Sequence, residues 1–210
     1  SNEYVPERAR ILSSNIERLG IENAAVLNED SARLSRHFPE YFSRILVDAP
    51  CSGEGMFRKS EEAVKDWSPF LVEKCAERQR DILESAFQML REGGELCYST
   101  CTFAPLEDEE MRDWILRENP DYSLKEEKKL LFHNSRGEGQ YYAIFKKAGK
   151  DLERTTKKEA YSILRKNKSI FIYSNGLGPF SRLKLFRLGI RAFEEGKTGW
   201  EYSHGLSHAL

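Results

Sequence analysis

No stretch of this 210-residue chain approaches the roughly 20 apolar residues that a bilayer helix needs, so the sequence offers no membrane span. No Cys-x-x-Cys pair occurs among its four cysteines, at 51, 75, 97 and 101. Their spacing matches neither zinc ligation nor a disulfide framework, so the expectation is no bound metal and a reduced, cytoplasmic setting. The opening residues, Ser1 to Arg8, carry too much charge for a secretory signal. Histidine is scarce: of four, only His37 and His133 precede residue 200. A thiol hydrolase, which pairs a histidine with its nucleophile, therefore has little to draw on. His204 and His208 lie four apart without a third ligand nearby, which argues against zinc. Also missing is a strand, glycine-rich turn and helix that would cradle a nucleotide-like cofactor. Gly53-Glu54-Gly55 and Gly137-Glu138-Gly139 lack that context. The chain reads as one without the first half of such a pocket, and the unpaired sheet edge this leaves predicts aggregation, a covering partner or a further N-terminal portion.

What is present is unevenly charged. The total is balanced, with 33 Lys+Arg against 34 Asp+Glu. Residues 151–210 nevertheless hold 11 basic and 6 acidic residues, leaving 22 and 28 for residues 1–150. The basic segment also carries eight aromatics between Tyr161 and Tyr202. Such a mixture suits a nucleic-acid-binding appendage, or a small β-rich domain with an aromatic core and solvated lysines.

The element pattern is α/β. Pro6–Leu19 reads as a helix stopped by Gly20, followed by a short strand at Ala24–Leu27. Arg44–Pro50 has the continuous apolar run of a strand buried on both faces. Ser68 caps a long helix that closes at Gly93-Gly94, with a stripe of Leu71, Cys75, Ile82, Ala86, Met89 and Leu90. Glu95–Cys101 is a further strand. Pro105 starts a helix whose first turns carry Glu107, Asp108, Glu109 and Glu110, suited to the helix dipole. Gln140–Lys146 is a late strand. After a charged linker come a helix at Lys157–Lys166, a strand at Ile170–Tyr173, turn-rich Asn175–Pro179 and a strand near Leu183–Phe193.

Two runs carry chemistry. Val47-Asp48-Ala49-Pro50-Cys51-Ser52-Gly53-Glu54-Gly55 and Tyr98-Ser99-Thr100-Cys101-Thr102-Phe103 each leave a strand and place a cysteine in the loop behind it. Ligands of open α/β sheets bind at such strand ends. Two thiols and an aspartate there suggest a cysteine nucleophile, although a strand-end cysteine can equally be packing and Asp48 can simply cap a turn. Cys75 on the helix stripe and Cys97 within a strand are assigned to the core.

These two runs resemble the two cysteine motifs of the Sun-type RNA cytosine methyltransferases. Met56–Lys59, Trp67–Pro69, Gly137–Tyr141 and the tail from Leu183 to Leu210 are similar to the RsmF/YebU-like bacterial branch, which modifies small-subunit ribosomal RNA. The resemblance implies a partial Rossmann-like class I methyltransferase sheet over residues 1–148. A linker follows at 149–156, then a small mixed α+β, basic, RNA-binding-type accessory domain at 157–210. It implies S-adenosylmethionine as cofactor and RNA as partner. Cys101 would attack cytosine carbon-6, Cys51 would serve product release, and Asp48 would face both the base and the methionine end of the cofactor. Glu3 would hold the cofactor ribose hydroxyls, and Asp30 the adenine side. DNA cytosine methyltransferases use a Pro-Cys cysteine instead, which Pro50-Cys51 also matches, whereas Thr100-Cys101 favours the RNA assignment. A non-catalytic RNA-binding fragment and a tRNA substrate are the alternatives. The glycine-rich loop with its nearby lysine and a C-terminal PUA-like domain, both part of the family pattern, are not found in this sequence.

Overall fold

A computed structural model describes residues 1–21, 23–133, 137–151, 161–166, 169–174, 183–195 and 200–202. In chain order the elements are α1 (Pro6–Arg18), β1 (Ala25–Leu27), α2 (Ser31–His37), β2 (Phe42–Asp48), α3 (Glu61–Asp66) and α4 (Pro69–Met89). They continue with β3 (Leu90–Thr100), α5 (Glu109–Glu118), β4 (Tyr122–Leu130), β5 (Gln140–Lys147), β6 (Tyr161–Lys166), β7 (Ser169–Ser174), β8 (Leu185–Leu188), β9 (Ile190–Glu195) and β10 (Trp200–Tyr202). The chain divides into two compact units, Ser31–Arg154 and Ser1–Asp30 with Thr155–Leu210.

The Ser31–Arg154 unit is built on a mixed sheet ordered β2-β3-β5-β4. β2 and β3 run parallel, with Val47 opposite Tyr98 and Asp48 opposite Ser99. β5 and β4 add antiparallel strands. The long crossover between β2 and β3 is what a parallel pair requires, and α4 supplies most of it. Leu83, Ala86, Leu90, Leu96, Met111, Ile115, Ala143 and Phe145 form the core between helices and sheet.

α4 starts as its sequence dictates: Ser68 Oγ accepts a bond from Leu71 N at 3.1 Å and Pro69 fills the first turn. Its buried face differs from the expected stripe, consisting of Val72, Ala76, Gln79, Leu83, Ser85, Ala86 and Met89. Gln79 lies inside because polar partners await it there. Cys75 and Cys97 are half-buried and stand outside the core cluster. β2 is buried on one face only: Val47 is covered while Leu46 is 68% exposed, the alternation of an edge strand. Behind Pro105 the chain makes a 3-10 turn before α5, and this turn carries Glu107 and Asp108 inward rather than along the helix N-terminus.

In the other unit, α1 buries Ala9 and Ile16. β1 pairs antiparallel with β8, and Asn2 bridges Leu27 in the parallel sense. Buried Arg187 meets Glu17 at 2.8 Å. A second sheet is ordered β10-β9-β7-β6. The helix expected at Lys157–Lys166 is a strand where it is described, because Tyr161–Lys166 pairs residue for residue with Ser169–Ser174. Pairing here overrides a locally helical composition. The expected strand at Leu183–Phe193 is split into β8 and β9 at Gly189, whose φ of 66° breaks the run. Asn175–Pro179, His204 and His208 lie outside the described residues.

Candidate active site

The parallel register of β2 and β3 brings their carboxyl ends together, and each strand releases a loop there. Asp48 ends β2, with Ser99 Oγ donating to its Oδ1 at 3.3 Å. Cys51 and Cys101, both half-buried, meet with their sulfurs 3.3 Å apart. The backbone sets this approach: Gly55 N donates to the Cys101 carbonyl at 2.8 Å. A Cβ on Gly55 would lie 2.7 Å from that oxygen and 3.2 Å from the Gly139 carbonyl, so only glycine fits.

Two adjacent thiols do not titrate alike. Donation from the Cys51 thiol holds the Cys101 thiolate down at about 7, against opposing burial and the charge of Asp48. The same bond, with burial, pushes Cys51 up. Burial also raises Cys97, and burial with the charge of Glu107 takes Cys75 to about 11. The pair is thus poised as one thiolate and one thiol. Each thiol is bonded to the other, and among the described residues no hydrogen bond joins either to a histidine.

Beneath the thiols lies a buried polar network absent from the sequence reading. Glu107 Oε1 accepts from Ser52 Oγ at 2.5 Å, and Oε2 accepts from Ser52 N at 3.1 Å and Gln79 Nε2 at 2.7 Å. Ser52 Oγ lies 2.8 Å from Thr102 Oγ1. Gln79 Nε2 also reaches the Pro50 carbonyl at 2.9 Å. The Tyr98 hydroxyl sits 2.6 Å from the Glu107 carbonyl and 2.9 Å from Gln79 Oε1. Burial raises the Glu107 carboxyl above the usual carboxylate range. Next to it, Asp108 accepts from Thr100 Oγ1 at 2.6 Å and pairs with Lys129 Nζ at 2.9 Å, yet burial lifts it to about 6. The signal available in sequence was the position of Glu107 and Asp108 behind Pro105, in a turn too early for the helix proper.

Comparison with known proteins settles the family. The model of the 16S rRNA methyltransferase RsmB/F family matches residues 1–151. This chain belongs to the RsmB/F family. A Vibrio vulnificus protein called ribosomal RNA small subunit methyltransferase F is 32% identical, the match covering 100% of this chain and 55% of the relative. One of the same name from Escherichia coli O157:H7 is 44% identical over 121 residues, 58% of this chain and 25% of that protein. The chain therefore spans about half the length, or less, of the curated relatives it matches. Among solved structures, a methyltransferase homolog from Pyrococcus horikoshii aligns with a TM-score of 0.57 at 25% identity, over 70% of this chain and 52% of that one. NSun6 from the same organism, solved with SFG, aligns at 0.60 and 24% identity over 71% and 41%. The fold is that of the Sun-type class I methyltransferases, as the cysteine motifs implied.

In this RsmB/F chain the remaining expected site residues, Glu3 and Asp30, belong to the Ser1–Asp30 segment of the other unit. The Asn2–Leu27 bridge sets the chain at Glu3 beside the end of β1. Asn28 Nδ2 pins the loop by donating to the carbonyls of Glu3 and Tyr4, both at 2.7 Å. Glu3 Oε1 accepts from Val5 N at 2.9 Å, and Oε2 pairs with Arg8 at 3.2 Å. A carboxylate offers about four acceptor positions, so two stay available for a diol. Asp30 is exposed just past β1. Acceptors at the carboxyl ends of neighbouring parallel segments fit a ribose and its base. Among the described residues, no group of three metal-ligating side chains occurs and no helix is long and apolar enough to cross a membrane.

Proposed function

We propose that this protein methylates carbon-5 of cytosine in RNA, in small-subunit ribosomal RNA, through a covalent cysteine–cytosine adduct. The observation that carries the reading is the sulfur–sulfur distance of 3.3 Å at the ends of β2 and β3, with Asp48 alongside. S-adenosylmethionine, when bound, supplies the methyl group; Glu3, Asp30 and Asp48 are the residues proposed to hold it. SFG, an analogue of that cofactor, accompanies the fold neighbour from Pyrococcus horikoshii.

Cytosine carbon-5 is a poor nucleophile. The Cys101 thiolate adds to carbon-6, and the displaced ring electrons make carbon-5 enamine-like. Nitrogen-3 takes up part of the electron density that the addition creates, and Asp48, in its protonated form, is proposed to donate a hydrogen bond or its proton there. After methylation the carbon-5 proton must leave so that the carbon–sulfur bond can break and restore the Cys101 thiolate. Cys51 is the proposed base. Its upward shift comes first from its bond to Cys101, and that cause vanishes once the Cys101 sulfur is bonded to carbon. Cys51 takes the carbon-5 proton once its own thiol proton has passed to solvent, a release that burial still opposes but that loss of the Cys101 contact eases at the stage that needs a base.

Arg58 and Lys59, both exposed beyond the Cys51 loop, are the proposed phosphate contacts. Arg58 lies over the Phe132 ring, 6.0 Å from its centre. Residues 157–210, basic and aromatic, are proposed as a further RNA-binding segment, and the cytoplasm as the place of action.

Covalent trapping tests the reading. The full-length protein, Cys51→Ser and Cys101→Ser are incubated with ribosomal RNA and S-adenosylmethionine and run on a denaturing gel. Cys51→Ser should hold a persistent RNA adduct and Cys101→Ser none. The reverse pattern moves the nucleophile to Cys51, and no adduct in any variant refutes the mechanism.

A further inference from the structure

We infer that Glu107 is a positioning residue: its buried carboxylate ties the residue after Cys51 to the residue after Cys101 and so holds the two sulfurs together. As an account of turnover this rests on the methyltransferase reading; as an account of the thiols it does not.

The argument begins with hydrogen-bond direction. An ionised carboxylate only accepts. Ser52 Oγ, 2.5 Å from Glu107 Oε1, therefore spends its one proton on Glu107 and must accept from Thr102 Oγ1. Thr102 Oγ1, its own proton committed, accepts from Ala104 N at 3.3 Å. Three bonds in series, Ala104 to Thr102 to Ser52 to Glu107, all point at one carboxylate.

The same group fixes both flanks of Cys51. Ser52 N donates to it directly, and Gln79, held by Glu107 Oε2, grips the Pro50 carbonyl. Gln79 is itself oriented by the Tyr98 hydroxyl at its Oε1. Cys51 is thus pinned on either side, and Cys101 is tied in through Thr102. Glu107 touches neither sulfur. It sits fully buried, one hydrogen bond from Ser52 and two from Thr102, where a carboxylate is expensive to keep unless its acceptors are all used.

Glu107→Gln preserves volume and removes one acceptor. With its nitrogen at the Oε2 place the amide faces two donors, Ser52 N and Gln79 Nε2; with its nitrogen at the Oε1 place it makes Ser52 Oγ accept, which reverses the bond from Thr102. Two simpler roles make different predictions. Charge alone would work in the opposite direction, since the Glu107 carboxylate opposes Cys101 ionisation and its loss would ease it. A purely structural role would lower stability and leave the thiols unmoved. Only loosening of the sulfur pair raises the Cys101 midpoint. The groups that face this titration are Cys51, Asp48 and Glu107.

The experiment is alkylation of Cys101 by iodoacetamide between pH 5.5 and 10 in the full-length protein, read as mass gain on the Cys101 peptide, with thermal denaturation alongside. The wild-type midpoint near 7 should rise by ~1 unit or more in Glu107→Gln. A midpoint unchanged or lowered in folded Glu107→Gln overturns the proposal. Should that variant fail to fold, Ser52→Ala, which keeps the backbone bond to Glu107 and cuts the link to Thr102, decides by the same rise or its absence. No RNA or cofactor enters the assay, so its failure and failure of the adduct experiment are separate results.

Discussion

Replacing Cys51 by alanine removes the only partner that favours the Cys101 thiolate strongly. What then remains around that sulfur is burial and the charges of Asp48 and Glu107, which oppose ionisation, against only the smaller help of the Cys101 backbone N–H. The Cys101 midpoint should return from about 7 to the ordinary thiol value of 9.0 or above. At pH 7 the thiolate fraction then falls from about one half to about one hundredth, ~50-fold. The rate changes less, because a more basic thiolate is a better nucleophile. With a Brønsted slope of about 0.4–0.5, two units of basicity add ~8-fold per thiolate. The net expectation is a ~6-fold slower reaction at pH 7 and a ~8-fold faster one at pH 10, with the two profiles crossing near pH ~8.

The crossing is the diagnostic. It is read from iodoacetamide labelling of the Cys101 peptide in wild type and Cys51→Ala across that range. Cys51→Ser is the internal control, since its hydroxyl still donates and should keep the midpoint near the wild-type value. That also explains why Cys51→Ser should accumulate adduct: the nucleophile stays ionised while the base is lost. Superimposable profiles for wild type and Cys51→Ala would refute the claim that Cys51 activates Cys101.

Two further perturbations probe the frame of the site. Gly55→Ala forces a Cβ against two backbone oxygens and should cost ~1–3 kcal/mol in chemical denaturation, with slower Cys101 labelling; a neutral result would mean the loop yields freely. Lys129→Met strands buried Asp108 without its cation and should cost ~3–5 kcal/mol at pH 8. Asp108 is raised from 3.8 to about 6 in the fold, so its contribution favours the folded state at low pH and is lost as pH rises through 6. The Lys129→Met deficit should accordingly shrink at pH 5, where a protonated Asp108 needs no cation; an equal deficit at both pH values would place its origin elsewhere.

The cysteine loops were legible because their signal is local. An apolar run, a break and a thiol among small polar residues mark a strand end, and two such ends imply neighbours in one sheet. The supporting network was not legible for the opposite reason. Ser52 and Glu107 are 55 residues apart and meet only because β2 and β3 are adjacent and the turn at Pro105 bends back under them. In sequence, Glu107 and Asp108 look like ordinary acids at a helix start, and Gln79 looks like a polar interruption. The β6 strand was misread for a related reason, since its partner β7 fixes it and local composition does not.

Gln79 shows how such residues could be found. The expected stripe of α4 ran through Leu71, Cys75, Ile82, Ala86 and Met89; Ala86 and Met89 are buried, while the earlier turns shift by one position to Val72, Ala76 and Leu83, with Gln79 inward. Burying a neutral amide without partners costs on the order of 1–3 kcal/mol, and burying a carboxylate costs more. A helix accepts that loss only where the polar atoms are all engaged, and here both Gln79 and Glu107 are engaged by the loop that carries Cys51. The inward turn of Gln79 and that of Glu107 are therefore one fact. The fold has spent buried polarity at the single place where two sulfurs must be held in contact, and that contact is what distinguishes Cys51 and Cys101 from Cys75 and Cys97, which no such network reaches.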